Sequence, residues 1–371
     1  MFCLKNELCS IVVTAVELND QHGTGIFAQK LISKKSNVLI FCSKFIYGGA
    51  NNHVNLSDYR NFDAAIQKNL QSKRVDKILC IPYFQDNFKF AVALKKATQA
   101  KLCTFFMDDQ NIFCNQVPDS DVQKLIDHSD LILAISPEMA DAYLNKYKKN
   151  VYFFPPLVSP RVKILNSCWS ATASNSLSRG AMIGNIWSQR RLQQILDLLG
   201  KTRIQIDWYG HGGKAPWFQG SKEEWAKTGL HYHGWLEEGD LLTKLAGYPF
   251  ILLPSGEMDE SDDKLSFSRL SLPSRLVFLN ARVGVPVLVL GHPETAAARF
   301  VRRYGTGISA PAKPDPFLAA LAQLGNPKIR ENLQQNLAKN AKLWSCDDPG
   351  AAIWEAMEGN MAPLCEILST M

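Results

Sequence analysis

The sequence predicts an α/β protein built from two consecutive doubly wound parallel sheets. Three observations predict it. Short apolar strand patterns alternate with helical patterns along nearly the whole chain. Alternation of this kind places helices on both faces of a parallel sheet. The pattern breaks at residues 166–179 (NSCWSATASNSLSR), polar and without periodicity, and then restarts. A break of that composition is where a domain boundary falls. The length of 371 residues is also enough for two cores. The expected organisation is a first Rossmann-like domain over 1–165, a linker over 166–179, a second over 180–345, and a helical tail over 346–371 that packs back on the first domain.

In the first domain strands are expected at 10–17, 37–42, 77–82, 101–107, 131–136 and 151–154, with helices at 25–33, 62–72, 87–99, 121–128 and 137–147 between them. The Gly-Gly and Asn-Asn pairs at 48–52 mark a loop. After the break, strands are expected at 180–186, 204–209, 230–233, 250–253 and 286–290. Helices are expected at 188–199, 237–246, 272–282, 295–304 and 327–344, and the tail carries more helical pattern.

Composition excludes several classes. A hydrophobic share of 46% with 20% charged residues is that of a folded globular chain, not a disordered or fibrous one. The longest apolar runs, 11–16 and 285–290, fall far short of the ~20 residues a spanning helix needs. Lys5 and Glu7 interrupt the N-terminus and no small-residue cleavage site follows, so no secretory leader is expected. Nine cysteines form no C-x-x-C pair, which suits reduced thiols in a cytoplasmic protein; pairing of Cys3 with Cys9 is the lesser reading. The net charge of +6 comes with basic clusters at Lys34-Lys35, 146–149 and 299–303. They read as solvated helix ends, or as cations that attract nucleotide phosphates or an anionic membrane face. Nucleic acid is not an expected partner, because no basic motif is interleaved with aromatics.

Two glycine-rich stretches carry the chemistry. The first strand runs into NDQHGTG (19–25) and then a helix. Gly23-x-Gly25-x-x-Ala28 satisfies the dinucleotide fingerprint in a strand–turn–helix context. That fingerprint expects an acid at the end of the second strand, where this chain has Cys42-Ser43-Lys44. Ser and Lys there suit a 2′-phosphate, so an NADP-dependent oxidoreductase is one reading. His22 is the titratable group of this loop, and Asp20 suits a cap.

The second stretch is SLPSRLVFLNARVGVPVLVLG (271–291), in which Pro-Ser-Arg opens a helix and an apolar strand follows. It resembles the donor-binding region of GT-B-fold glycosyltransferases, where a Pro-Ser-Lys/Arg helix precedes Ala-x-Gly-x-Pro-Val. The resemblance implies two Rossmann-like domains facing a cleft. It also implies transfer of a sugar from a nucleotide-sugar donor to a glycan or lipid-linked acceptor, as in polysaccharide biosynthesis. Ser274 and Arg275 then stand where donors to a phosphate belong. Gly184 and Asn185, with Arg190 and Arg191 one turn on, occupy the family's Gly-Arg loop, with Asn in place of its Arg. Gly210 matches the family's strand-then-Gly element, and His233-Gly234 the piece beside the nucleobase. Gly23 and Gly25 become the first-domain loop against the donor or acceptor.

The acidic loop EMDESDD (257–263) follows a buried strand at the end where open α/β sheets bind ligands. Asp259 and Glu260 suit sugar or ribose hydroxyls. A divalent cation such as Mg²⁺ on Asp259, Asp262 and Asp263 is the secondary reading; no cofactor beyond the nucleotide-sugar is expected. An inverting reaction needs a general base, for which His22, Asp108 and Asp109 are the candidates. Asp108-Asp109 equally suits a turn or helix cap. The Glu-x7-Glu pair frequent in retaining relatives is missing: its positions hold Ser271 and Leu279. Retention or inversion therefore stays open, and a catalytically degenerate binding protein is a further alternative.

Overall fold

A computed structural model describes residues 7–19, 23–46, 48–159, 177–186, 188–210, 220–260 and 262–369. The chain forms two compact units, Met1–Pro156 with Asp348–Met371, and Leu157–Asp347. The change of unit at Leu157 precedes the serine-rich break, of which 166–176 lie outside the described residues. Its cause is local pairing: the Val158 N–H donates to Trp344 O, the Cys346 N–H donates to Val158 O, and Arg282 Nη1 donates to Ser159 O.

The first unit holds a seven-stranded sheet in the order β3 (His53–Asn55), β2 (Val38–Lys44), β1 (Glu7–Val16), β4 (Lys73–Ile81), β5 (Lys101–Phe106), β6 (Leu131–Ala134) and β7 (Tyr152–Phe153). The pairing is parallel throughout. Ile11, Val12 and Val13 are buried on both faces of the central strand, as a continuous apolar run requires when helices cover both sides. Among the described residues five α-helices connect the strands: α1 (Gly23–Ile32), α2 (Phe62–Leu70), α3 (Gln85–Thr98), α4 (Asp119–His128) and α5 (Pro137–Tyr147). Their starts follow the expected chemistry: Asn61 accepts from Ala64 N, and Ser136 accepts from Met139 N ahead of Pro137. Phe27, Phe105 and Phe154 interlock as one aromatic cluster of this core; burying such a side chain contributes ~1.5–3 kcal/mol.

The tail helices, α14 (Pro349–Met357) and α15 (Ala362–Ser369), belong to this first unit. Trp354 Nε1 donates to Leu31 O at 2.9 Å, Lys34 meets Asp348 at 3.2 Å, and Lys77 meets Glu358 at 2.6 Å. Gly350 lies flush on the end of α1. A Cβ there would sit 2.1 Å from Leu31 O, so only glycine permits the approach.

The second unit holds a six-stranded parallel sheet in the order β10 (Leu230–Gly234), β9 (Gln205–Tyr209), β8 (Arg179–Ile183), β11 (Ile251–Pro254), β12 (Val287–Leu290) and β13 (Gly307–Ala310). Its helices are α6 (Gln189–Thr202), α7 (Lys222–Thr228), α8 (Glu238–Leu245), α9 (Leu265–Leu270), α10 (Ser274–Phe278), α11 (Ala296–Tyr304), α12 (Pro314–Gly325) and α13 (Pro327–Asn340). The single helix expected over 272–282 starts at Ser274 and widens after Phe278 into a π-helical turn, Leu279–Val283. Gly284, in the left-handed region at φ +68°, ends it.

Both sheets reverse their strand order beside their first strand, at β1/β4 and at β8/β11. Connections leave in opposite directions there, which opens a crevice at the carboxyl ends of the two strands. Ligands of open α/β sheets bind in such crevices.

Candidate functional site

The second unit's reversal point is built by three close-packed turns. Gly184, after β8, has φ +78°. Gly210, after β9, lies against it: a Cβ on Gly210 would sit 2.6 Å from Gly184 O. The Gly210 N–H donates to Gly234 O at 2.8 Å, and Gly234 has φ +80°. Trp208 Nε1 donates to Gly184 O at 2.7 Å and fixes the turn from the core side.

Arg275 reaches this corner from the start of α10. Its Nη1 donates to Ile183 O at 2.8 Å and to Asn185 O at 2.9 Å. Gly184 makes room, since a Cβ there would come 3.0 Å from the same Nη1. Burial pushes the Arg275 guanidinium down to about 10, and the charge of Arg191 pushes it the same way. It stays charged at neutral pH, in a place where positive charge is unfavourable. An anion bound there would relieve that cost.

Arg190 and Arg191 have different surroundings. Arg190 is exposed. Arg191 is turned inward, its Nη2 3.0 Å from Asp262 Oδ1, with both side chains buried. Burial lowers the Arg191 pKa, and Asp262 partly offsets that. Asp262 also accepts from Met258 N at 3.1 Å and Lys264 N at 3.0 Å. It therefore ties the acidic loop to α6 from inside. Asp259 and Glu260 are exposed on that loop, and Ser274 is partly exposed at the first position of α10. Among the described residues no three His, Cys, Asp or Glu side chains converge to hold a metal ion.

His233 lies on a polar face of the sheet. Its Nε2 is 2.6 Å from Asp207 Oδ1, and its ring stacks on Tyr209 with centroids 5.1 Å apart. Arg179 grips Asp207 through Nε at 2.6 Å and Nη2 at 2.7 Å, and Tyr248 donates its hydroxyl at 2.8 Å. Burial alone would raise the Asp207 carboxyl. The hydrogen bonds from Arg179, His233 and Tyr248 outweigh it and hold the group at about 2. One ring nitrogen of His233 is thus committed to this network, immediately before Gly234.

In the first unit, His22 and Asp20 lie outside the described residues. Gly23 opens α1 and is exposed, and Gly25, two residues on, is buried. Between them Thr24 Oγ1 lies 2.5 Å from Tyr83 OH. The Tyr83 phenol also bonds Asp108. Burial, then the charge of Asp108, hold that phenol protonated far above its ordinary range. A hydroxyl, a phenol and a carboxylate thus meet at the carboxyl ends of β1, β4 and β5. Nothing in the sequence singled out Tyr83: one tyrosine after Pro82 at a strand end has no motif around it.

Asp109 is turned away from this group. Its Oδ1 accepts from Asn111 N at 2.9 Å and Ile112 N at 2.7 Å, and its Oδ2 from Phe113 N at 2.8 Å. Tyr143 donates to Oδ1 at 3.3 Å. A carboxylate so engaged organises its loop. Ser43 and Lys44, considered for a 2′-phosphate, are also engaged: Ser43 Oγ accepts from Asn87 Nδ2, and Lys44 lies over the Phe84 ring.

No family model matches this sequence, and a comparison with curated proteins finds no match. Solved structures do match in fold. HepE from Anabaena in complex with UDP has a TM-score of 0.58 at 9% identity, over 98% of this chain and 100% of that one. The fold is GT-B. WaaG, a glycosyltransferase involved in lipopolysaccharide biosynthesis, has a TM-score of 0.57 at 11% identity, over 95% of this chain and 100% of that one. An α-glucosyltransferase in complex with UDP and DNA has a TM-score of 0.56 at 12% identity, over 94% and 98%. At such identities the likeness is one of fold, and the GT-B architecture gains its chemistry here from this chain's own residues. Among the described residues no helix is long and apolar enough to cross a membrane.

Proposed function

We propose that this chain is a GT-B glycosyltransferase that moves a sugar from a nucleotide-sugar donor to an acceptor hydroxyl. The observation that carries the reading is Arg275, a guanidinium clasped by the carbonyls of Ile183 and Asn185 at the β8/β11 reversal and pressed by a second arginine. Negative charge grows on the diphosphate as the glycosidic bond breaks. A preorganised cation at that point stabilises the transition state more than the ground state. The amino end of α6 opens toward the same carboxyl edge and adds its dipole. Asp259 and Glu260 on the acidic loop and Ser274 at the start of α10 are the candidates for sugar, ribose or phosphate oxygens.

In an inverting reaction Asp108 takes the acceptor proton, with Tyr83 and Thr24 fixing its position. The fuller form of the reading is a cytoplasmic enzyme of polysaccharide biosynthesis with a glycan or lipid-linked acceptor at a membrane face. A uridine diphosphate donor is the first to try, because fold neighbours are described with UDP or UDP-glucose.

A thermal-shift series with UDP, GDP, ADP, CMP and NADP, each with and without Mg²⁺, tests the proposal. A ligand that binds only the folded state raises the melting temperature by mass action. One nucleoside diphosphate should do so. A shift with NADP alone would replace the proposal with an oxidoreductase on the Gly23–Gly25 loop.

A further inference from the structure

The turn after β12 is packed into the second unit's candidate site and carries an imidazole, His292. The Gly291 N–H donates to Ala310 O and the His292 N–H to Gly256 O, both at 2.7 Å. A Cβ on Gly291 would sit 2.5 Å from that same Gly256 oxygen, so the turns after β11 and β12 lie flush. A Cβ on Gly256 would in turn meet Asp262 Oδ2. Asp262 is the partner of Arg191, whose charge acts on Arg275. This series of close contacts ties His292 to the corner that Arg275 holds.

The ring of His292 is fixed as a donor. Its Nδ1 lies 3.1 Å from Glu294 N, and a backbone N–H only donates. Nδ1 therefore bears the lone pair, and the proton of the neutral ring is on Nε2. The Glu294 carboxylate is engaged elsewhere, by Arg302 at 3.1 Å and Arg299 at 3.7 Å along α11. Among the described residues nothing accepts from Nε2, and the residue is partly exposed. The two directions away from Arg275 along the carboxyl edge also differ. Toward β10 lie rings: Tyr209 stacked with His233, and Trp235, 43% exposed, after Gly234. Flat aromatic surfaces suit a nucleobase. Toward β12 lie hydrogen-bonding side chains, those of the acidic loop and His292, which suit hydroxyls.

We infer that His292 donates from Nε2 to a hydroxyl oxygen of the sugar that the nucleotide carries. The inference rests on the transferase reading and adds a sugar-binding residue to it. A neutral N–H matches a neutral hydroxyl, whereas a guanidinium such as Arg275 matches the charged diphosphate.

The test is titration calorimetry of the full chain with UDP-glucose, GDP-mannose and ADP-glucose, each set against its own nucleoside diphosphate. The quantity read is the ratio of the two affinities. In His292→Asn the amide oxygen replaces Nδ1 as the acceptor for Glu294 N, and the Nε2 donor is gone. In His292→Gln the amide N–H replaces the Nε2 donor, and the acceptor is gone. His292→Asn should keep its melting temperature and its diphosphate affinity within twofold, while the ratio falls at least fivefold. His292→Gln should melt earlier and keep the ratio within threefold. If His292→Asn also melts early, the ratio still decides, because a smaller folded fraction weakens both ligands equally. An unchanged ratio in His292→Asn would overturn the inference. So would a ratio lost as fully in His292→Gln, or an equal loss for the diphosphate, which would place the contact on ribose or phosphate. A parent chain that binds none of the six ligands would sink the transferase reading and the inference with it. Diphosphates bound by every variant with no change of ratio would sink the inference alone.

Discussion

Asp262→Ala gives the sharpest test of how the second unit is held around its candidate site. Asp262 has no exposed side-chain surface, and its Arg191 partner is 7% exposed. Removing the carboxylate strands a buried guanidinium and takes the acceptor from the Met258 and Lys264 N–H groups. Breaking one side of a buried ion pair costs ~3–5 kcal/mol. For a unit of this size each kcal/mol moves the midpoint by ~2–4 °C, so the second unit should melt roughly 6–20 °C earlier. Replacing both partners, Arg191→Met with Asp262→Leu, should cost much less, because no charge is left uncompensated. Urea and thermal unfolding followed by tryptophan fluorescence would measure both. A loss below ~1 kcal/mol for Asp262→Ala would mean that water screens the pair. Arg191 would then be available to a phosphate, and the division of labour between Arg191 and Arg275 drawn above would be wrong.

Gly210→Ala should destabilise by ~1–3 kcal/mol, since its Cβ meets the backbone oxygen of Gly184 and cannot be accommodated by a rotamer change; Gly239→Ala, in open space on α8, should be neutral or stabilising in the same melts. The Asp207 carboxyl, at about 2 in the fold, lies below its ordinary value near 3.8. Its contribution is therefore present above pH ~4 and lost as pH falls toward 2, and amounts to roughly 2 kcal/mol. Asp207→Asn should lose that stability at pH 7 and show a shallower decline between pH 4 and 2; parallel acid-melting curves would refute the assignment. Asp108→Asn should reduce sugar transfer by ~10²–10⁴ with nucleotide affinity kept, whereas Asp109→Asn should chiefly lower the melting temperature. The reverse pattern in a transfer assay would exchange their roles.

Much of this architecture is written locally. Apolar runs such as 11–13 and 287–290, bounded by caps and glycines, mark strands because short-range pattern decides them. β3 and β13 are not legible because HVN and GISA hold no continuous apolar run, unlike the equally short VLVL of β12, and α7 and α9 are short helices of seven and six residues. Site residues were legible as positions and not as partners. Gly184, Gly210 and Arg275 stand out from turn chemistry and a helix start. That Arg191 turns to Asp262, 71 residues away, and that Asp109 serves its own loop while Asp108 joins Tyr83, depends on tertiary contacts that no local pattern encodes.

If Arg275 receives the diphosphate of the donor, its removal should cost a nucleotide the part of its affinity that the phosphates supply. The direct measurement is the affinity of UDP, UMP and uridine for the protein and for Arg275→Gln, by titration calorimetry at fixed salt. At least a tenfold loss is expected for UDP and little change for uridine, with the variant's melting temperature within a few degrees of the parent. Equal affinities of parent and variant for UDP, or an equal loss for uridine, would contradict it.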